Sequence, residues 1–339
     1  MNSLERHCNA LEHKEPDRVP LAPSFLTRTV RLAGVRQYHY HTNPEILASA
    51  QIAHCDCYDF DGVYISSDNV IMYEALGGRI FYPDDNSYPF WTDPILTGSH
   101  DLSKLSIPDP TRDGRMPMVI EAAHIAFERV GRRRFVLANI DTGPFSLACT
   151  LMGIDNAMAY LVEKPEEIKA IFDFCSEVAI AYGTEMAKSG CHGIQFGEAT
   201  ASLIGRRRYE ELVWQYDCKV IRELKKLGVY VFLHVCGNST PIFDLMVESG
   251  ADCLEFDSPV DISWAKKRAG DKVALKGNIN TTHFVTMSPQ EMSTECKRII
   301  NAAKEGGGFI LCGGCEVPAD TPHEILQVLR RSVDEFGRY

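Results

Sequence analysis

The stretch Val229-Tyr230-Val231-Phe232-Leu233-His234-Val235-Cys236-Gly237-Asn238 decides how this chain is read. It opens with five apolar residues in a row, mostly β-branched or aromatic, the composition of a buried strand. It ends in two metal-competent side chains and a Gly-Asn breaker. Side chains alternate along a strand, so His234 and Cys236, two residues apart, point to the same side. An imidazole and a thiol facing one way at a strand's end make half of a zinc site. The other ligands must come from elsewhere in the chain.

Outward from this stretch, short apolar runs alternate with longer helical patterns over 339 residues. Strands are expected over 18–23, 61–66, 135–140, 193–197, 229–235, 252–256, 273–277 and 309–312. Helices are expected over 44–53, 117–130, 209–227, 241–249, 263–268 and 289–304, with two more inside 146–189. A last helix over 322–336 has Thr321 as N-cap and Pro322 at its first position. Region 77–116, rich in Pro, Asp and Ser, reads as loop excursions. Eight strands, each followed by helical sequence, predict an α/β fold: a (β/α)8 TIM barrel with N-terminal and loop excursions, one domain over 1–339. Continuous apolar strands with long crossovers fit a parallel sheet buried on both faces. The Gly-rich phosphate fingerprint of an open dinucleotide-binding sheet is missing.

Composition narrows the function. A net charge of -11 argues against a nucleic-acid partner. No apolar run approaches the ~18 residues of a membrane span. The start, Met1-Asn2-Ser3-Leu4-Glu5-Arg6, carries no signal-peptide pattern, so a cytoplasmic protein without a membrane partner is expected. In that compartment the 12 cysteines read as buried apolar side chains with a metal-binding subset. Cys55, Cys57, His54 and His192 are read as structural.

In a barrel the active site lies where the strands end. Those ends carry Glu198, His234 and Cys236, Glu255 and Asp257, Asn278, and Cys315. Ser24 and Arg28 follow the first expected strand and Asp68 the second. Cys312 and Cys315 both qualify as third zinc ligand. Cys315 is favoured, because Gly313 and Gly314 let the loop bend toward the barrel mouth. A His-Cys-Cys set with one open position suits a catalytic zinc, with Glu198, Glu255 or Asp257 as a resting fourth ligand. The plainer alternatives are a satisfied core histidine beside a buried thiol, and carboxylates paired with Arg206, Arg207 and Arg208.

The chain resembles the uroporphyrinogen decarboxylase superfamily, and within it the zinc-dependent methylcobamide:thiol methyltransferases. The residues that carry the resemblance are Glu15-Pro16-Asp17-Arg18-Val19-Pro20, Glu74-Ala75-Leu76-Gly77, His234-Val235-Cys236-Gly237-Asn238, Gly277-Asn278-Ile279 and Gly314-Cys315-Glu316-Val317-Pro318 with Thr321-Pro322. The His-x-Cys pair with the late Gly-Cys marks the zinc branch; the other pieces mark the superfamily, whose fold is a (β/α)8 barrel. The resemblance implies His234, Cys236 and Cys315 as zinc ligands and a methyl-Co(III) corrinoid as methyl donor. No Asp-x-His-x-x-Gly pattern of a cobalamin carrier is present, so a separate corrinoid carrier protein is expected as partner, with a small thiol as acceptor. The chain departs from the family at Gly197-Glu198-Ala199, where Gly-Asp-Pro is common.

On this reading Glu198 or Glu255 accepts the thiol proton. Asn278, Asp257 and Arg28 are expected to contact substrate. Arg28 suits the sulfonate of coenzyme M, and Glu255 or Asp257 the amino group of homocysteine. The competing readings are a uroporphyrinogen-type decarboxylase, a corrinoid methyltransferase with a non-thiol acceptor such as tetrahydrofolate, and a zinc-stabilised binding module. The decarboxylase reading is the weaker because Thr27-Arg28-Thr29-Val30-Arg31 only loosely matches that enzyme's N-terminal arginine motif.

Overall fold

The computed structural model of the chain describes residues 1–83, 88–97 and 101–339; part of the expected loop excursion, 84–87 and 98–100, lies outside the described residues. Seven parallel strands follow one another in chain order across one sheet. They are β1 (Gly62–Ile65), β2 (Phe135–Thr142), β3 (Gly193–Glu198), β4 (Tyr230–Val235), β5 (Cys253–Phe256), β6 (Ala274–Ile279) and β7 (Phe309–Gly313). Each crossover carries helix, as a parallel sheet requires.

The expected first strand, 18–23, forms only two isolated bridges, Arg18 with Arg338 and Leu21 with Leu311. Pro20 and Pro23 have no N–H to donate, so a full ladder cannot form there. What remains still joins the two sheet edges. The Leu311 N–H donates to the Pro20 carbonyl (2.8 Å) and the Ala22 N–H to the Leu311 carbonyl (3.1 Å). On the other side the Asp61 N–H donates to the Leu21 carbonyl (2.8 Å). Residues 20–22 thus act as a short eighth stave between β7 and the start of β1.

Alternation along the strands sorts the barrel interior into layers. Phe135, Phe232, Cys253, Ala274 and Ile310 form an apolar layer, joined by Ala10 and Leu11. Those two belong to the N-terminal helix Ser3–Leu11, capped by the Asn2 side chain. His7 of that helix stacks on Phe135 at 4.2 Å between ring centroids. Burying each phenylalanine is worth about 2–3 kcal/mol, so this end of the barrel is a plug. Two residues further along each strand the interior turns polar. Phe232, Cys253 and Ala274 are register partners, and the next inward set is His234, Glu255 and Lys276.

Helices Ser3–Leu11, Thr27–Ala33, Gln37–Thr42 and Ile71–Ala75 form where none is expected, the expected 44–53 runs Pro44–Tyr58, and one further region and one cap differ. Region 146–189 holds parts of three helices, Pro144–Met152, Ile154–Glu163 and Pro165–Ala187. Gly153, at φ 80°, separates the first two, and Pro165 starts the third, where its missing N–H costs nothing. The final helix is His323–Phe336, with Pro322 flanking it. The Thr321 hydroxyl donates to the Pro318 carbonyl instead of capping. No single described helix is long and apolar enough to cross a membrane.

Candidate metal centre

His234 is the last residue but one of β4, with its side chain on the inner face, and Cys236 follows one step past the strand. The Cys236 Sγ lies 3.0 Å from His234 Nε2. Cys315 arrives from the loop after β7. That loop needs glycine: a Cβ on Gly314 would sit 2.8 Å from the Asp257 Cα, so only a bare backbone passes so close. The ligand atoms of His234, Cys236 and Cys315 lie within 4.8 Å of one another, and among the described residues no other such group is found. Two thiols and an imidazole converging at this spacing fit zinc, a borderline-soft ion bound by S and N donors.

The carboxylate behind the histidine completes the arrangement. Glu255 Oε2 faces His234 Nδ1 at 3.4 Å. Nδ1 makes no hydrogen bond at that distance, and Nε2 faces the Cys236 thiol. Burial works against a charged His234. The Cys315 hydrogen bond and the nearby Glu255, Cys315 and Asp257 nevertheless raise it to about 9. The centre therefore draws positive charge to itself. The Cys315 thiol is pushed well up by its hydrogen bond with Cys236 and by burial. Metal binding would have to displace both protons, and a zinc ion does so by stabilising thiolates.

Glu255 is almost fully buried and, besides the Cys312 thiol, has four polar neighbours. Lys276 Nζ donates to it at 2.9 Å, Gln195 Nε2 at 2.7 Å and the Ser24 hydroxyl at 3.2 Å, with His234 as the fourth neighbour. Lys276 also donates to Ser24 (2.8 Å). Burial alone would raise the Glu255 carboxyl, but Lys276 and His234 hold it below the ordinary carboxylate range.

The structure brings Cys315, and not Cys312, to His234 and Cys236. Cys312 is fully buried with its Sγ 3.6 Å from Glu255 Oε1, and burial pushes its thiol up to about 12. Asp257 accepts from the Gly237 N–H (2.6 Å), which ties the Cys236 loop to the end of β5. Asn278 donates to the Val260 carbonyl (2.7 Å) and fastens the next loop. Glu198 sits behind the cavity wall. Its oxygens accept from the Phe145 and Ser146 N–H groups (2.9 Å each) and the Ser146 hydroxyl (2.7 Å) at the N-terminus of Pro144–Met152. Arg28 is spent on the carbonyls of Ala319 and Thr321 and on the Tyr58 hydroxyl, so it braces the loop after Cys315. Asp68 is locked to Arg115 (2.5 Å) and His41 (3.1 Å).

A cavity of about 120 Å³ opens beside the three ligands, with Ser24, Tyr64, Asp141, Gln195, Glu255 and Glu316 in its wall. Sequence reasoning missed Lys276, Gln195 and Asp141. The first two were findable: each is a polar residue inside an otherwise apolar strand, at the inward parity. Asp141 was not, because its direction depends on an irregularity. The pairing of β2 with β3 shifts register between Asn139 and Thr142, and Asp141 has φ 80°, a left-handed conformation for a non-glycine. Asp141 accepts from the Met72 N–H (3.0 Å). Burial raises its carboxyl to about 8, with Asp68 adding to this and the Met72 and Ile71 N–H groups and Arg115 opposing it.

The uroporphyrinogen decarboxylase (URO-D) family model matches residues 2–336. The chain is 28% identical over 329 residues to the methylcobamide:CoM methyltransferase MtbA of Methanosarcina acetivorans, covering 95% of each chain. It is 28% identical over 335 residues to MtaA of Methanosarcina barkeri, a protein of the same description, covering 96% of each. A uroporphyrinogen decarboxylase from Anaeromyxobacter is 25% identical over 352 residues, covering 98% of this chain and 99% of that one. Among solved structures, a methyltransferase from Methanosarcina mazei superposes with a TM-score of 0.90 over 99% of both chains at 23% identity, which supports the barrel fold. The chain belongs to the uroporphyrinogen decarboxylase family, and its enzyme class is that of the family's methyltransferases.

Proposed function

We propose that this protein transfers a methyl group from a methylated corrinoid, carried by a separate protein, to a small thiol bound beside His234, Cys236 and Cys315. The observation that carries the reading is the convergence of one imidazole and two thiols within 4.8 Å at the mouth of the barrel. Those three residues would hold a zinc ion, which when bound makes a neighbouring thiol ionise near neutral pH. The relatives' description as methylcobamide:CoM methyltransferases supports the corrinoid as donor and a thiol as acceptor.

The chain's own residues do the rest. Glu255 faces His234 Nδ1, and Lys276 keeps Glu255 ionised inside the barrel. Glu255 also lines the cavity, and we assign it proton acceptance, while Glu198 positions Pro144–Met152. Asp257 and Asn278 set the loops that carry Cys236 and frame the mouth. In the transfer, the acceptor sulfur forms a bond to the methyl carbon, the cobalt–carbon bond breaks, and its electron pair stays on cobalt as Co(I). The thiol proton leaves to Glu255 and then to solvent. The cavity beside the three ligands is where the acceptor thiol would sit.

The test is metal analysis of anaerobically purified protein alongside Cys236→Ala and Cys315→Ala, with methylcobalamin and thiols as substrates. About one zinc per chain is expected, lost in both variants together with methyl transfer. Methyl transfer by a zinc-free Cys236→Ala protein would overturn the reading.

A further inference from the structure

The wall of the cavity states what kind of thiol it was shaped for. Two buried acceptor oxygens in that wall, Asp141 Oδ1 and Gln195 Oε1, have no hydrogen-bond partner among the described residues. Both residues are 4% exposed, so an unmet acceptor there carries a desolvation cost unless something donates to it. The orientation of the Gln195 amide is fixed from behind. Its Nε2 donates to Glu255 at 2.7 Å, and a flipped amide would aim Oε1 at that carboxylate. The two residues sit on neighbouring strands, Asn139 of β2 being the register partner of Gln195. The bulge at Asp141 turns its side chain to the cavity, and backbone irregularities of this kind persist where surrounding structure and function demand them.

The charges in the wall point the same way. Glu255 and Glu316 line the cavity, and no lysine or arginine does among the described residues. Residues 84–87 and 98–100 contain no lysine or arginine either. Two buried cations act near it: Lys276 is used by Glu255 and Ser24, and Arg115 by Asp68 and Glu74. Arg28 is held by two carbonyls and a tyrosine hydroxyl. An anionic tail such as a sulfonate would meet the Asp141 and Gln195 oxygens with no lysine or arginine in the described wall to pair it. Asp141 in its protonated form offers that anion one O–H and no charge.

We propose that the acceptor is an aminothiol whose ammonium group is received by Asp141 Oδ1 and Gln195 Oε1, which makes these two residues the determinants of acceptor specificity. The inference rests on the thiol-methylation reading above and narrows its substrate class. An ammonium brings a donor to Gln195 Oε1 and, to the ionised Asp141 carboxylate, both a donor and a counter-charge. On binding, Asp141 gives up its carboxyl proton and forms a charge-assisted pair, the stronger kind of hydrogen bond.

Three thiols that differ only in their tail decide it: 2-aminoethanethiol, 2-mercaptoethanol and 2-mercaptoethanesulfonate. Binding to the zinc-loaded full chain is measured by calorimetry, and methyl transfer from methylcobalamin is followed separately by absorbance. The aminothiol is expected to bind at least about tenfold more tightly than the alcohol, with the sulfonate weakest. Asp141→Asn, which keeps the side-chain shape, should erase the preference for the amine and leave the alcohol within about twofold. Gln195→Met, which leaves Asp141 in place, should reduce the preference in part and serves if the first variant does not fold. Tighter binding of the sulfonate, or an amine preference untouched in both variants, overturns the inference while leaving thiol methylation standing. Amine-selective binding lost in Asp141→Asn without any methyl transfer would sustain the recognition and defeat the proposed reaction. No binding of any of the three overturns both.

Discussion

Replacing Lys276 with methionine tests whether the buried carboxylate–ammonium pair organises the metal centre. Lys276 and Glu255 are 1% and 2% exposed at the side chain and sit 2.9 Å apart. Methionine fills the volume of the lysine stem and removes the charge. Glu255 then keeps the hydrogen bonds from Gln195 and Ser24 but loses its counter-charge in a site closed to water. Breaking a buried pair from one side costs about 3–5 kcal/mol, because the remaining charge is stranded. The cost can be lowered by protonating Glu255. Its carboxyl is held low mainly by Lys276 against the effect of burial, so without Lys276 it rises.

That shift has a sign that can be read. In the native protein the Glu255 carboxyl lies below its unfolded value, so its contribution is present above the unfolded pKa and fades as pH falls through the folded one. The stability deficit of Lys276→Met should therefore be largest near neutral pH and shrink in acid. Adding Glu255→Gln should return most of the loss. Zinc affinity should fall about 10–100-fold, since a protonated or absent carboxylate no longer polarises His234 Nδ1. The assays are denaturant unfolding in chelator across pH, and competitive zinc titration. A deficit under about 1 kcal/mol, or a double variant no more stable than Lys276→Met, would refute the reasoning.

Three further outcomes follow from the same geometry. Asp141 is an acid whose folded pKa is raised to about 8, so the native state holds a proton the unfolded chain has lost, and stability falls as pH rises toward 8. Asp141→Asn should flatten that slope, by on the order of 2 kcal/mol between pH 6 and pH 8 in urea unfolding of the ligand-free protein. Glu198→Ala strips the acceptors from two N–H groups in the first turn of Pro144–Met152. It should cost about 2 kcal/mol or more while leaving zinc content unchanged by elemental analysis. Asn278→Ala removes the bond to the Val260 carbonyl and should cost about 1–3 kcal/mol, with hydrogen exchange rising first in the loop after β5.

Much of this was legible in the sequence because it depends on short-range rules. Period-two alternation put His234 and Cys236 on one face, and Gly313-Gly314 announced a loop able to reach them. Strand and helix count named the barrel, although Pro20 and Pro23 reduced its first strand to isolated bridges. What the sequence could not show is which side chains become neighbours across strands. Register is a property of the assembled sheet: it sets Lys276 beside Glu255 and Glu255 beside His234 from positions 21 residues apart in each case. The same limit applies to Glu198, whose carboxylate looks free at a strand end until the N-terminus of Pro144–Met152 packs against it. It applies to Arg28, which only the returning loop 319–321 occupies. Asp141 shows it most clearly. Local composition decides that a strand forms there, but only the competition between neighbouring strands for hydrogen bonds produces the bulge that turns its carboxylate into the cavity.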